Sequence, residues 1–224
     1  MFKCEYCNKT FKREGTLAVH VCEPKRRFQQ KDSKHVQLAF RSYQLFYRIG
    51  TNSKKEKSYE DFSSSQYYTA FVKYGSYCID LKIDDVPVYT TWLLKNNIAI
   101  DRWCSDRNFN TWIKERLKSE SCDRAVERTI LFMQDWGENN ANEWNNYFDA
   151  VPSNLAVFHI CSGKISPWVL YASNRAQALL DRLNEEQIKM IIEYIDPHVW
   201  QIKMKRFEKD FNWVKQLLKK AHLS

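Results

Sequence analysis

Chain breakers and long apolar runs are what this sequence has least of. Only five glycines and five prolines interrupt 224 residues, and between them the apolar residues recur at spacings of three and four rather than two, the pattern of helices and not of strands. No stretch approaches the length of a membrane span, and no apolar leader opens the chain, so neither a membrane helix nor a secretory signal is expected. The seven cysteines are odd in number. Cys78, Cys104, Cys122 and Cys161 stand apart without pair spacing and read as ordinary buried thiols. A reducing compartment is expected, cytoplasmic or nuclear.

Catalytic signatures are equally scarce. There is no P-loop, no Rossmann glycine fingerprint and no G-x-S-x-G elbow, and Asp80, Asp84, Asp85, Asp101 and Asp106 fall into no metal-nuclease, phosphatase or polymerase pattern. His159-x-Cys161 is an i, i+2 pair that diverges on a helix, and its apolar flanks favour a buried structural role. His198 is read as a solvent-facing first-turn residue. Asp84-Asp85 suits a helix cap better than a divalent ion. The expectation is that the chain is not an enzyme.

What is present sits at the amino terminus. Cys4-x₂-Cys7 is followed, after twelve residues, by His20-x-Cys22, and thiolate plus imidazole at such spacing makes a four-ligand tetrahedral Zn²⁺ site. Two residues along a helix turn a side chain by about 200°, so His20 and Cys22 reach one metal only if the helix unwinds between them. Glu23-Pro24 agrees with that. The alternative fourth ligand is His35 or a group from a partner.

The full pattern, Phe2-x-Cys4-x₂-Cys7-x₃-Phe11-x₅-Leu17-x₂-His20, resembles the first three quarters of a ββα zinc finger at every position and departs from it only in the CCHC ending. The resemblance implies two short strands, a helix, a miniature core from the aromatic and the leucine, and dependence on metal for folding. It places the base-facing positions on Arg13, Thr16 and Val19. Gly15 weakens so short a helix by about 1 kcal/mol, and a single finger covers about three base pairs, so sequence-specific reading is not expected. The run from Leu17 to Arg27, with Ile165-Ser166-Pro167-Trp168 in a helical body, also resembles zinc-finger proteins of large contractile-tailed phages. That group implies no activity, and it implies a bacterial host cytoplasm.

Charge is distributed unevenly. Residues 1–58 hold 14 Lys or Arg against 5 Asp or Glu, whereas residues 59–224 hold 21 against 22. The excess reads as a basic arm for a polyanion joined to a neutral body. The expected organisation is a zinc finger over 1–27, a basic helix and linker over 28–58, and an all-helical body over 59–224. The fold class is therefore an all-α, multi-helix body preceded by a small ββα finger.

Lys25-Arg26-Arg27 opens a polar connector on this reading. Helices are expected over about 33–49, 65–82, 84–97, 107–118, 121–136, 142–149, 153–161, 166–173, 174–183, 184–195 and 196–222, with 51–58 a solvated loop. Most of the eight tryptophans are assigned to core packing.

Zn²⁺ on Cys4, Cys7, His20 and Cys22 is the expected cofactor. Lys9, Lys12, Arg13, Thr16, Lys25, Arg26, Arg27, Lys31 and Lys34 are the candidate nucleic-acid contacts, chiefly to phosphate. The leading expectation is non-enzymatic association with nucleic acid, DNA ahead of RNA, while the body meets an unidentified protein of the replication, transcription or packaging machinery. The alternatives are an adaptor whose finger docks a protein and, third, a nuclease with an unfamiliar metal site.

Overall fold

The computed structural model describes residues 1–50 and 55–223. Apart from one two-stranded ribbon its regular elements are helical, so the all-α body behind a small ββα finger is the architecture observed. Backbone contacts group the chain into two compact units, Met1–Asn108 and Phe109–Ser224. The boundary thus falls inside the stretch that the sequence reads as one 59–224 body.

The first unit opens with β1 (Phe2–Lys3) and β2 (Thr10–Phe11), paired antiparallel with Phe2 opposite Phe11 and Lys3 opposite Thr10. Helix α1 (Glu14–Ala18) follows. Next comes α2 (Glu23–Gln29), where the sequence reading has only a polar connector. Proline cannot continue a helix but suits its first turn, so Glu23-Pro24 ends the finger by starting a new helix.

Helix α3 (Lys34–Gly50) agrees closely with expectation. Residues 51–54 of the expected loop lie outside the described residues. Helix α4 (Tyr59–Ser64) was not anticipated. It is set by a capping box in which Asp61 N–H donates to Ser58 Oγ at 3.2 Å and Ser58 N–H donates to Asp61 Oδ2 at 3.0 Å. Ser65 is extended, so α5 (Tyr68–Asp80) starts later than the periodicity suggests. Helix α6 (Val86–Lys95) carries Pro87 in its first turn and is capped by Asp85, which accepts from Val88 N–H at 3.1 Å.

The core of this unit lies where α3 meets α5 and α6. Tyr43, Phe62, Phe71, Tyr74 and Trp103 are buried there, in edge-on and tilted ring contacts such as Phe71–Trp103 at 5.5 Å. Gly75 makes the close approach possible: a Cβ at that position would overlap the carbonyl oxygen of His35 and lie 3.2 Å from Ala39 N.

Helix α7 (Asp106–Ser119) carries the boundary in its first turn. The second unit continues with α8 (Cys122–Asn139), α9 (Tyr147–Ala150), α10 (Ser153–Cys161), α11 (Pro167–Ala172), α12 (Asn174–Asp181), α13 (Glu185–Ile195), α14 (Pro197–Arg206) and α15 (Glu208–Lys220). Asp196 caps α14 from its expected place, but the expected helix over 196–222 is broken at Phe207 (φ −115°, ψ 48°). The break lets α15 pack on α11.

Trp112, Trp168 and Trp200 fill this unit's core, whereas Trp213 stays exposed. Thr129 ties two helices together, its Oγ1 donating to Ala125 O at 2.9 Å and accepting from Ser166 N–H at 2.9 Å. No helix among the described residues is long and apolar enough to cross a membrane.

Candidate metal centre

The four donors come from the segments that join the elements: Cys4 and Cys7 from the turn between β1 and β2, His20 from just past α1, and Cys22 from the head of α2. Cys4 directly follows β1, and the chain turns back through Cys7 and Asn8, with Asn8 N–H donating to Cys4 O at 2.9 Å and Cys4 N–H donating to Lys9 O at 2.8 Å. Asn8 holds φ 61° there, a left-handed conformation that asparagine tolerates better than most residues. Backbone N–H groups of Cys7 and then Tyr6 point at Cys4 Sγ and hold that thiol below its ordinary pKa, against a smaller opposing effect of burial. Cys4 is 3% exposed and is the buried residue of the finger.

Helix α1 stops at Ala18 and turns tightly, with His20 N–H donating to Leu17 O at 3.1 Å. The unwinding required by the His20-x-Cys22 spacing is therefore present. Cys22 is extended (φ −117°, ψ 161°) and is the N-cap residue of α2. Its thiol is pushed up chiefly by burial. Phe11 packs on the His20 ring with centroids 4.7 Å apart and orients it, and Lys25 Nζ donates to His20 O at 3.3 Å.

The four donor atoms lie within 4.8 Å of one another. Cys4 Sγ is 3.9 Å from Cys22 Sγ, and Cys7 Sγ is 3.2 Å from His20 Nε2. A tetrahedral Zn²⁺ with ordinary bond lengths needs sulfurs about 3.8 Å apart and sulfur–nitrogen pairs about 3.6 Å apart, so the donor set fits a metal ion with little adjustment. His35 is not part of the cluster. It lies in the first turn of α3, where its carbonyl faces Gly75.

The finger's own apolar core is small. Phe11 and Leu17 are only half-buried and together contribute about 2–3 kcal/mol of apolar stabilisation, whereas a structural zinc supplies about 10–16 kcal/mol in modules of this size.

The candidate nucleic-acid contacts divide by their surroundings. Lys9, Lys12, Arg13, Thr16, Arg26 and Lys34 are exposed. Arg26 pairs with Glu23, while Lys25 leans on the finger and Lys31 lies over the Phe28 ring at 4.7 Å. Arg27 is engaged inside the unit: it pairs with Glu23 at 3.0 Å, donates to Ser63 O at 2.6 Å and sits 4.3 Å over the Tyr68 ring. Tyr59 Oη in turn donates to the carbonyl of Arg27 at 2.7 Å. Spacing alone gives no sign of this, because Ser63 and Tyr68 are some forty residues away.

His159, Cys161, Cys78, Cys122 and His198, also singled out in the sequence, lie in helices outside the finger. His159 is buried with Nδ1 2.8 Å from Tyr147 Oη, and Cys161 is a half-buried thiol pushed up by burial to about 11. Cys78 and Cys122 are pushed up in the same way, each to about 12. His198 is exposed.

Fold and site together define a helical protein whose amino-terminal ββα module brings together a CCHC cluster with the geometry to hold a metal ion. Comparison with protein-family models, curated proteins and solved structures gives no match.

Proposed function

We propose that the chain is a non-enzymatic, zinc-stabilised, nucleic-acid-associated protein that holds DNA largely without regard to sequence through its amino-terminal module, while its helices engage a protein of the replication, transcription or packaging machinery. The observation that carries this is a four-donor cluster set in a surface where Lys9, Lys12 and Arg13 are exposed. Three sulfurs and one imidazole suit Zn²⁺ above magnesium or calcium, which take oxygen. Such thiolates persist in a reducing compartment, the cytoplasm. The cations supply the phosphate term of binding, and Arg13 and Thr16 alone offer little base reading.

Fluorescence anisotropy with duplex DNA, before and after the protein is stripped of metal by a chelator, tests the reading. Salt-sensitive binding that weakens on stripping and returns with Zn²⁺ is expected. Binding that survives stripping unchanged would place it elsewhere.

A second reading is favoured by a specific observation: Val19 and Val21 are 78% and 69% exposed. Val19, one of the three positions that would meet bases, is apolar, and with Val21 it makes an exposed apolar face that suits a protein groove. DNA and RNA binding undetectable at low salt, with a protein partner still captured by the intact finger, would select this adaptor reading.

A further inference from the structure

A second cationic feature lies in the first unit, on the face of α3 that bears Arg41 and Arg48. Seven residues along a helix make about two turns, so the two arginines stand on one side, about 10.5 Å apart along the axis, with Leu45 between them. They rim a cleft of about 450 Å³, a volume in the range of small-ligand sites. Leu38, Leu45, Val86 and Pro87 contribute its apolar surface.

The opposite rim is residues 55–57, which bring Lys55 and Lys57 to the same cleft. That rim is fixed to α3: Gln44 Nε2 donates to Lys57 O at 3.0 Å and to Glu56 Oε1 at 3.4 Å. Lys57 Nζ also lies 4.7 Å over the Tyr47 ring. Among the lining residues the cations outnumber the one carboxylate, Glu56. The lysine rim is partly balanced by Asp61, whose carboxyl is lowered first by Ser58 N–H and then with help from Lys57 and Lys55. The Asp85 carboxylate is turned to Val88 N–H, and the charge of the α3 face is carried by Arg41 and Arg48. Val86 and Pro87 form the first turn of α6, a ten-residue helix whose dipole adds to the positive potential.

We propose that this cleft binds a nucleotide, its phosphates held by Arg41, Arg48, Lys55 and Lys57 and its planar base laid on the apolar floor of Leu45, Val86 and Pro87. An apolar floor with a cationic rim matches a ligand that is flat and apolar at one end and multiply anionic at the other, and arginine pairs phosphate oxygens in bidentate fashion. The nucleotide can be free or one unit of a strand. The site is separate from the finger, and its test does not depend on the finger's function.

The experiment titrates the full-length zinc-loaded protein with a fluorescent N-methylanthraniloyl-ADP and, separately, with a fluorescein-labelled single strand. The same titrations are run on Arg41→Glu/Arg48→Glu and on Lys9→Ala/Lys12→Ala/Arg13→Ala. Both arginines are exposed, so the charge reversals leave the core untouched, which an unchanged helical circular dichroism signal and zinc content verify.

Saturable nucleotide binding that pyrophosphate displaces, that weakens roughly tenfold or more in the arginine variant and that persists in the finger variant supports a free-nucleotide site. Loss of strand binding alone in the arginine variant supports the nucleotide unit of a strand. Binding of neither probe, or equal binding by wild type and the arginine variant, overturns the proposal. A finger variant that loses DNA while keeping the nucleotide would bear on the finger alone.

Discussion

Cys22 stands two residues after His20, a spacing that places the two donors on opposite sides of any regular helix. It joins the cluster because α1 has ended and Cys22 is extended at the head of α2. Cys22→Ser is therefore expected to lower zinc affinity by at least an order of magnitude, as loss of one of four donors does, whereas His35→Ala leaves it unchanged. Competition with a chromogenic chelator reads both. Equal affinity for wild type and Cys22→Ser would remove Cys22 from the site. At this scale the four-donor cluster was legible, since donor chemistry and spacing are local properties. The role of Arg27 was not, because Ser63 and Tyr68 reach it only through the fold.

Helices were largely legible where caps and periodicity coincide, as at Asp85-Val86-Pro87, and α10 falls on 153–161 as expected. The split at Phe207 was not legible, since Lys205-Arg206-Phe207-Glu208 holds no breaker. A straight helix over 197–222 would run about 39 Å, and the break returns Val214 and Leu218 to the core against α11. Propensity is overridden there by burial.

Two glycines make opposite predictions at the level of the element. A Cβ at Gly15 would meet nothing within 4 Å, so Gly15→Ala is expected to strengthen α1 by about 0.5–1 kcal/mol, seen as a roughly two- to fivefold gain in zinc affinity. Gly75→Ala drives a methyl group into the α3 backbone and is expected to destabilise by about 2–4 kcal/mol. A lowered urea midpoint with an unchanged slope would show it. An unshifted midpoint would mean that α3 and α5 do not meet at Gly75.

The charge asymmetry of the whole molecule is visible in the sequence, but only the fold separates cations that face solvent from those spent internally. Lys9, Lys12 and Arg13 are exposed, whereas Arg27 bonds Glu23, Ser63 and Tyr68. Each phosphate contact that is lost lowers the salt slope of binding by about 0.9. Replacing Lys9, Lys12 and Arg13 together by alanine should therefore reduce the slope by up to about three, weaken every DNA sequence about equally and leave the unfolding midpoint in place. Arg27→Ala should do the reverse. It leaves the Ser63 carbonyl without this donor and is expected to cost about 1–3 kcal/mol of stability, with little change in the salt slope. Parallel urea unfolding and salt titrations of the two variants decide the matter. If Arg27→Ala lowers the slope as a phosphate contact would while the midpoint stays put, its interior bonds are dispensable and the basic surface extends onto α2; if the triple variant keeps the full slope, the finger's exposed cations do not meet phosphate at all.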